Sequence, residues 1–300
     1  MDRPHAADAR FGADAPIALR PRPARTASSI CVVSGKGGTG KSLVTASLAR
    51  RLSERARTLV FDADLGCANA HILHDVHPER SFIDVVEGRL SVRDIVTSCG
   101  GALDLLPGGS GFARLAGLSD FELHIVARGL EELGPDYRYL CIDSAAGLSN
   151  QTVAFAAASD LVLLVTTPDV TSMTDAYAFL KVFVRRQPLS MPLLIVNRCA
   201  ESEDAEHVVR RLSDVTRKFL GRDLTCLAAL PEDRAAFRCI QRRTPVCVGE
   251  PASPLGQALL ALERSVLEEL RHLPARGVGA TLARAIGFEG HDTRAPRHSH

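Results

Sequence analysis

The stretch Gly35-Lys36-Gly37-Gly38-Thr39-Gly40-Lys41-Ser42 stands between the apolar run Ile30-Cys31-Val32-Val33 and the helical pattern Leu43 to Leu52. Glycines let a backbone curl until successive N–H groups point inward at phosphate oxygens, and a following helix adds its positive N-terminal end. Lys41 and Ser42 then reach phosphate and Mg²⁺, and Leu43 closes the contact set at the start of the helix. Strand, loop and helix come in the required order, so the stretch reads as a phosphate-binding loop. Lys36 is an extra. The backbone already surrounds the phosphates, so a second lysine in the turn is expected to point outward. It either reaches the nucleotide of a second subunit, as an arginine finger does in trans, or is an ordinary solvated lysine.

Outward from the loop, Thr58-Leu59-Val60-Phe61 forms a second buried strand that ends in Asp62-Ala63-Asp64. Carboxylates at the C-terminal end of a strand sit where ligands bind in open parallel sheets. Tyr139-Leu140-Cys141-Ile142 is another such strand, with Asp143 at its tip as the expected second Mg²⁺-side carboxylate and Gly147 placed to offer a backbone N–H to a γ-phosphate. Further strands are expected at Leu103 to Leu106, Leu161 to Val165, Leu193 to Val196 and Thr225 to Leu230. Short helices are expected at Ser81 to Glu87 and Val92 to Val96. Longer ones follow the stripes Leu123, Val126, Leu130, Leu133, then Val208, Leu212, Val215, Phe219, and finally Leu255, Leu259, Leu262, Val266 and Leu273. Alternating strands and helices predict one doubly wound, mostly parallel α/β sheet over residues 28–273.

The whole chain has 300 residues, 46% of them hydrophobic, and a net charge of +1, which suits one large folded core and gives no global pull toward nucleic acid. No apolar run approaches the roughly 18 residues that span a bilayer, and the N-terminus has no signal pattern, so the cytosol is the expected location. The eight cysteines include no C-x-x-C pair, which speaks against a zinc ribbon or a metal-cluster carrier and for small core residues. His71, His74 and His77 read as a polar surface turn rather than a ligand set. Residues 1–27 read as a flexible leader, and 274–300 as a tail whose Val278, Leu282 and Ile286 are spaced for an amphipathic membrane-targeting helix over 275–288.

Lys36 with Lys41, Asp62 with Asp64, Asp143 before its Ala-Gly turn, and Asn197-Arg198 together resemble the MinD/ParA family of deviant Walker ATPases, from about residue 29 to 273. Within it, Val60 to Asn69 and Thr166-Thr167-Pro168-Asp169-Val170-Thr171-Ser172-Met173-Thr174-Asp175-Ala176-Tyr177 are most similar to the flagellar number regulators (FlhG or FleN). The resemblance implies an ATP-dependent homodimer that hydrolyses ATP slowly with Mg²⁺. Lys41 would hold the β- and γ-phosphates, Ser42 would bind Mg²⁺, Lys36 would act in trans, and Asp64 would orient the attacking water. Asp62 and Asp143 would support Mg²⁺ through water. Asn69 and Gly147 would belong to switch segments, and Asn197, Arg198, Pro231, Glu232 and Asp233 would lie by adenine.

Implied partners are an anionic membrane surface, flagellar switch-complex proteins, a flagellar transcription regulator, and a signal-recognition-particle-type GTPase (FlhF). The element that stimulates such a GTPase survives only as the spacing of Asp14, Leu19 and Arg20, with Ala15 and Pro16 in place of Gln and Ala. Thr39 and Ser42 replace the more usual Val and Thr. Two other outcomes stay open: a partition-type or septum-site positioning ATPase, the former binding DNA through Arg210, Arg211, Arg217, Lys218, Arg242 and Arg243, and an ATP-binding scaffold with little hydrolysis.

Overall fold

Along β1 (Ser28–Val33) successive side chains point to opposite faces of the sheet, and both faces are covered: Ile30 and Val32 enter one core, Cys31 and Val33 the other. The same division runs through β2 (Thr58–Ala63), with Val60 on the first side and Leu59 and Phe61 on the second. Strands buried on both faces read as continuous apolar runs, which is why these segments stand out in the sequence. The computed structural model describes residues 26–64, 68–109, 118–187 and 189–286.

Between β1 and β2 lies α1 (Lys41–Ser53), and after β2 come α2 (Ala70–Leu73) and α3 (Phe82–Val86). A 3₁₀ turn at Val92–Ile95 leads to β3 (Thr97–Ser98) and β4 (Leu103–Leu106), then α4 (Asp120–Leu133) and β5 (Tyr139–Ser144). The second half alternates strictly: α5 (Asn150–Ala158), β6 (Leu161–Thr166), α6 (Val170–Arg186), β7 (Leu193–Cys199), α7 (Ser202–Leu220) and β8 (Cys226–Pro231). Four helices close the described chain: α8 (Arg234–Gln241), α9 (Val246–Gly249), α10 (Pro254–His272) and α11 (Val278–Ala285).

These strands form one eight-stranded sheet in the order β3-β4-β2-β5-β1-β6-β7-β8. Every pairing is parallel except the short antiparallel edge of β3 on β4. The doubly wound sheet is therefore as expected. β1 sits between β5 and β6, and its loop runs to α1 on one face while β5 leads to α5 on the other, a reversal that opens a crevice at the strand tips. In the β2–β5 register Asp62 is level with Asp143.

Three elements depart from the periodic pattern. α5 is buried nearly all round and carries Val153-Ala154-Phe155-Ala156-Ala157-Ala158, so it has no polar face for periodicity to mark; its start is fixed by Ser149, whose hydroxyl accepts from the Thr152 N–H. Phe219, expected inside the α7 stripe, lies in the last turn before the left-handed Gly221 and stands 63% exposed under the Lys218 ammonium.

The third departure is the tail. Its helix runs Val278–Ala285 and packs on α4 and α5, with Val278 and Leu282 buried in the core and Ile286 partly buried against it. Gly279 makes this possible, because a Cβ there would come within 2.4 Å of the Ala127 carbonyl. Arg276 anchors the start of the segment by donating to Asp160, a carboxylate 1% exposed that also accepts from Ser29. In this structure the chain past residue 273 stays in contact with the core, and the stripe expected to face lipid is packed on the domain through Val278, Leu282 and Ile286. The remainder of the 275–288 helix beyond 286, the leader element at Asp14, Leu19 and Arg20, and residues 291–300 lie outside the described residues.

Candidate nucleotide site

At the tip of β1 the loop Gly35 to Gly40 delivers the chain into α1 through Gly40, which sits at φ +89°. That conformation disfavours a side chain, and a Cβ would also meet Asn197 Nδ2 at 2.2 Å, so glycine is required twice over. Asn197, on β7, donates to the Thr39 carbonyl at 2.7 Å and so holds the loop from behind. The loop floors a cleft of about 490 Å³ that also takes in Lys41, Ser42, Leu43, Asp64 and Asn69. Of the expected loop residues, Gly37 to Leu43 line this cleft, whereas Gly35 and Lys36 do not.

Lys41 is buried, and its ammonium donates to Asp143 Oδ1 at 2.7 Å, with Ser42 Oγ at 3.5 Å. Thr45, one turn along α1, adds a hydroxyl 3.3 Å from the same carboxylate oxygen. Asp62 is buried beside them. Burial first, and then the charge of Asp143, push its carboxyl well above the usual range against the pull of the Ala70 and Asp64 N–H groups and Lys41. Two buried carboxylates share one ammonium, so Asp62 is held toward its protonated form, and a cation bound beside the pair would favour its ionised form. Among the described residues no group of three or more His, Cys, Asp or Glu is placed to hold a metal. The donors present, a hydroxyl at Ser42 and the carboxylates of Asp62 and Asp143, are oxygen ligands of the kind Mg²⁺ takes together with water and phosphate oxygens.

Lys36 leaves the loop in the opposite direction. Its ammonium donates to Asp169 Oδ1 at 3.0 Å and to Thr171 Oγ at 2.7 Å, on the rim of the same chain. Asp169 is the N-cap of α6. Hydrogen bonds from Thr167 first, then Thr171, Ser172 and Lys36, hold its carboxyl far below the ordinary range. The sequence carries no signal for this partner beyond Asp169 being a residue type preferred at helix N-caps, where its carboxylate accepts from the Ser172 N–H.

The remaining expected site residues have other engagements. The Gly147 N–H donates to the Ser34 carbonyl at 2.9 Å, so in this state it ties the two loops together rather than facing the cleft. Arg198 sits at φ +62° and pairs with Glu232 at 3.1 Å in the open, while Asp233 caps α8 and also accepts from the Leu255 N–H. Pro231 ends β8. Asn69 is the exposed residue that starts α2, and Leu65, Gly66 and Cys67 before it lie outside the described residues.

His74 corrects the expectation of a polar surface turn. It is 7% exposed, neither ring nitrogen has a hydrogen-bond partner among the described residues, and burial, with help from the Arg50 charge, lowers its pKa to about 4. Four cysteines are core residues as expected: Cys31, Cys141, Cys199 and Cys239 are buried free thiols, and desolvation pushes Cys31 and Cys141 up to about 12, whereas Cys99, Cys226 and Cys247 are half-buried and Cys67 lies outside the described residues. Of the basic face considered for DNA, Arg217 pairs with Asp223, Arg242 with Glu250 and Arg243 with Asp75.

Residues 30–246 match the model of the CobQ/CobB/MinD/ParA nucleotide binding domain. The chain is similar to the antiactivator FleN of Pseudomonas aeruginosa, 31% identical over 238 residues that cover 79% of this chain and 85% of that protein. It is also similar to the flagellum site-determining protein YlxH of Helicobacter pylori, 28% identical over 87% of this chain and 90% of that one. Among solved structures, the septum site-determining protein MinD of Pyrococcus horikoshii complexed with Mg-ADP superimposes with a TM-score of 0.66 at 26% identity, covering 80% of this chain and 96% of that chain.

Proposed function

The chain belongs to the CobQ/CobB/MinD/ParA nucleotide-binding family, and from that premise we propose that it is an ATP-dependent dimerising switch that sets flagellar number or placement. The observation that carries this reading is the opposed placement of two lysines from one loop, Lys41 inward on Asp143 and Lys36 outward on the rim. YlxH, named a flagellum site-determining protein, together with the likeness to the antiactivator FleN, supports the biological half; the MinD structure with Mg-ADP supports the choice of ligand.

Under this reading the loop N–H groups receive the phosphate chain, and Lys41 transfers its ammonium from Asp143 to the β- and γ-phosphate oxygens. Asp143, relieved of the lysine, and Asp62 would hold Mg²⁺ through water, and Ser42 would hold it directly. Bound Mg²⁺ supplies charge neutralisation on the phosphate oxygens. Asp64, at the cleft, orients the attacking water, and Asn69 and Gly147 report the γ-phosphate through the loops they occupy. Lys36 leaves Asp169 for the nucleotide of the partner copy, so hydrolysis depends on dimer formation. The chemistry is positioning plus charge neutralisation.

The adenine contacts assigned to Asn197, Arg198 and Pro231 to Asp233 belong to the proposal, as does a peripheral membrane cycle in which 274–300 act as a separate tail. Since α11 is docked, that cycle requires ATP binding to undock it; among the described residues no helix is long and apolar enough to cross a membrane. A GTPase of the signal-recognition-particle type, switch-complex proteins and a transcription regulator are the candidate protein partners. The test is a chromosomal replacement carrying Asp64→Ala, scored by flagella per cell and, on purified protein, by phosphate release. We expect hydrolysis to fall at least about tenfold and flagellar number or placement to change with it. Unchanged flagellation with hydrolysis abolished would separate the ATPase from flagella and overturn the biological half.

A further inference from the structure

We infer that the groove between α3, the 3₁₀ turn at Val92–Ile95 and α4 is the seat of this chain's own leader, which it takes by Ile17 and Leu19. The inference stands apart from the nucleotide reading. The groove has a volume of about 520 Å³, and Val85, Val92, Ile125 and Gly129 give it an apolar lining. α4 comes close to the 3₁₀ turn because residue 129 is glycine; a Cβ there would stand 3.0 Å from a Val92 methyl. Val85 and Ile125 are only partly buried, and Phe121, one turn before Ile125 on the same face of α4, is 63% exposed. Apolar side chains left half covered around a groove gain from a further apolar cover.

The occupant follows from where the described chain begins. Thr26 lies against the start of α11, since a Cβ on Gly277 would stand 3.2 Å from its methyl group. α11 in turn lies on α4, where a Cβ on Gly279 would come 2.5 Å from the Glu131 nitrogen, and Glu131 also lines the groove. The leader therefore joins the domain one helix away from the groove. From Leu19 to Thr26 the chain advances seven residues, a reach of at most roughly 25 Å, or about twice the width of a helix. Ile17 and Leu19 are the large aliphatics of the leader nearest that point, and Arg20, Arg22 and Arg25 follow with no carboxylate after Asp14. At the groove, Arg128 is outnumbered by Glu131 and Glu132. Arg93 holds Glu132, whereas Glu131 is exposed and has no salt-bridge partner among the described residues. A basic segment with two aliphatics thus meets an apolar groove with a carboxylate on the side from which the chain arrives. A partner that grips Leu19 and Arg20 must draw the leader out of the groove first, so the groove sets how available the leader is.

Thermolysin cleavage of the Ala18–Leu19 bond, followed by mass spectrometry in the full-length protein and in free peptides of residues 10–25 with matching sequence, tests this. The proteins are wild type, Ile125→Glu in the groove and Ile17→Ser in the leader, the last outside the folded domain. We expect the bond to be cut about fivefold or more slowly in wild type than in its peptide, at any protein concentration, and at the peptide rate in both variants. A wild type cut as fast as its peptide would overturn the inference. So would protection that persists in Ile125→Glu, which would put the leader elsewhere, or that fades on dilution, which would put it on a second copy. Protection lost in Ile125→Glu but kept in Ile17→Ser would trace to a damaged fold and would overturn it equally.

Discussion

Lys36 and Lys41 leave one loop five residues apart and end in opposite surroundings. Lys41 and its partner Asp143 are 8% and 3% exposed, whereas Lys36 and Asp169 are 36% and 49% exposed. A buried pair cannot lose one member without stranding the other charge in a poor solvent, while an exposed pair is worth little and can be exchanged. The interior of the site is therefore committed to this chain and its ligand. The rim pair is exposed and exchangeable, which is what the proposed trans role of Lys36 requires.

The hardest blow to that comparison would come from Lys41→Ala. It should cost about 3–5 kcal/mol in chemical denaturation, since Asp143 is left buried beside Asp62, and it should abolish ATP binding. Near-wild-type stability with retained nucleotide affinity would show that the interior is not committed as described.

His74 tests the same interior by pH. Its folded pKa, about 4, lies below the ordinary 6.5, so between those values the unfolded chain binds more protons and its contribution to stability falls as pH drops from 6.5 toward 4, then levels off. Asp62, whose carboxyl is raised above the usual range, acts in the opposite sense over the same window, so the His74 share, on the order of 3 kcal/mol, is read as the difference between the wild-type and His74→Leu profiles. A variant profile as steep as wild type would place the titration elsewhere.

At the rim, Lys36→Ala should move stability by less than about 1 kcal/mol and leave monomer affinity for ADP near wild type, yet remove the ATP dimer. Smallest of all, Asp169→Asn should change stability by under about 1 kcal/mol and leave the dimer intact, because Lys36 needs Asp169 only while alone. If Asp169→Asn instead abolished the dimer, the rim pair would be part of the assembled site.

Much of the interior was legible in sequence because it is covalently local: a strand, a glycine turn and a lysine-led helix specify their own geometry. Asp62 and Asp143 could be placed because apolar runs buried on both faces announce central parallel strands, and a carboxylate at such a tip has few other uses. What stayed hidden depends on distant packing. Asp169 meets Lys36 only because β6 lies beside β1, and His74 is buried only because α2 folds down against the core. Nor does spacing reveal whether an apolar stripe meets lipid or its own domain; α11 docks because Gly279 and the Asp160 carboxylate happen to receive it. Ile72 and Ile240, 168 positions apart by their numbers, share the phosphate-loop cleft, which only the closed sheet creates.

The central claim is that ATP moves Lys36 from its own rim to a second copy. Light scattering of wild type and Asp64→Ala with ADP and with ATP tests it most directly. The account predicts a monomer with ADP, a dimer with ATP and a longer-lived ATP dimer for Asp64→Ala. A protein that stays monomeric with ATP in both forms would contradict the trans role of Lys36 and the switch built on it.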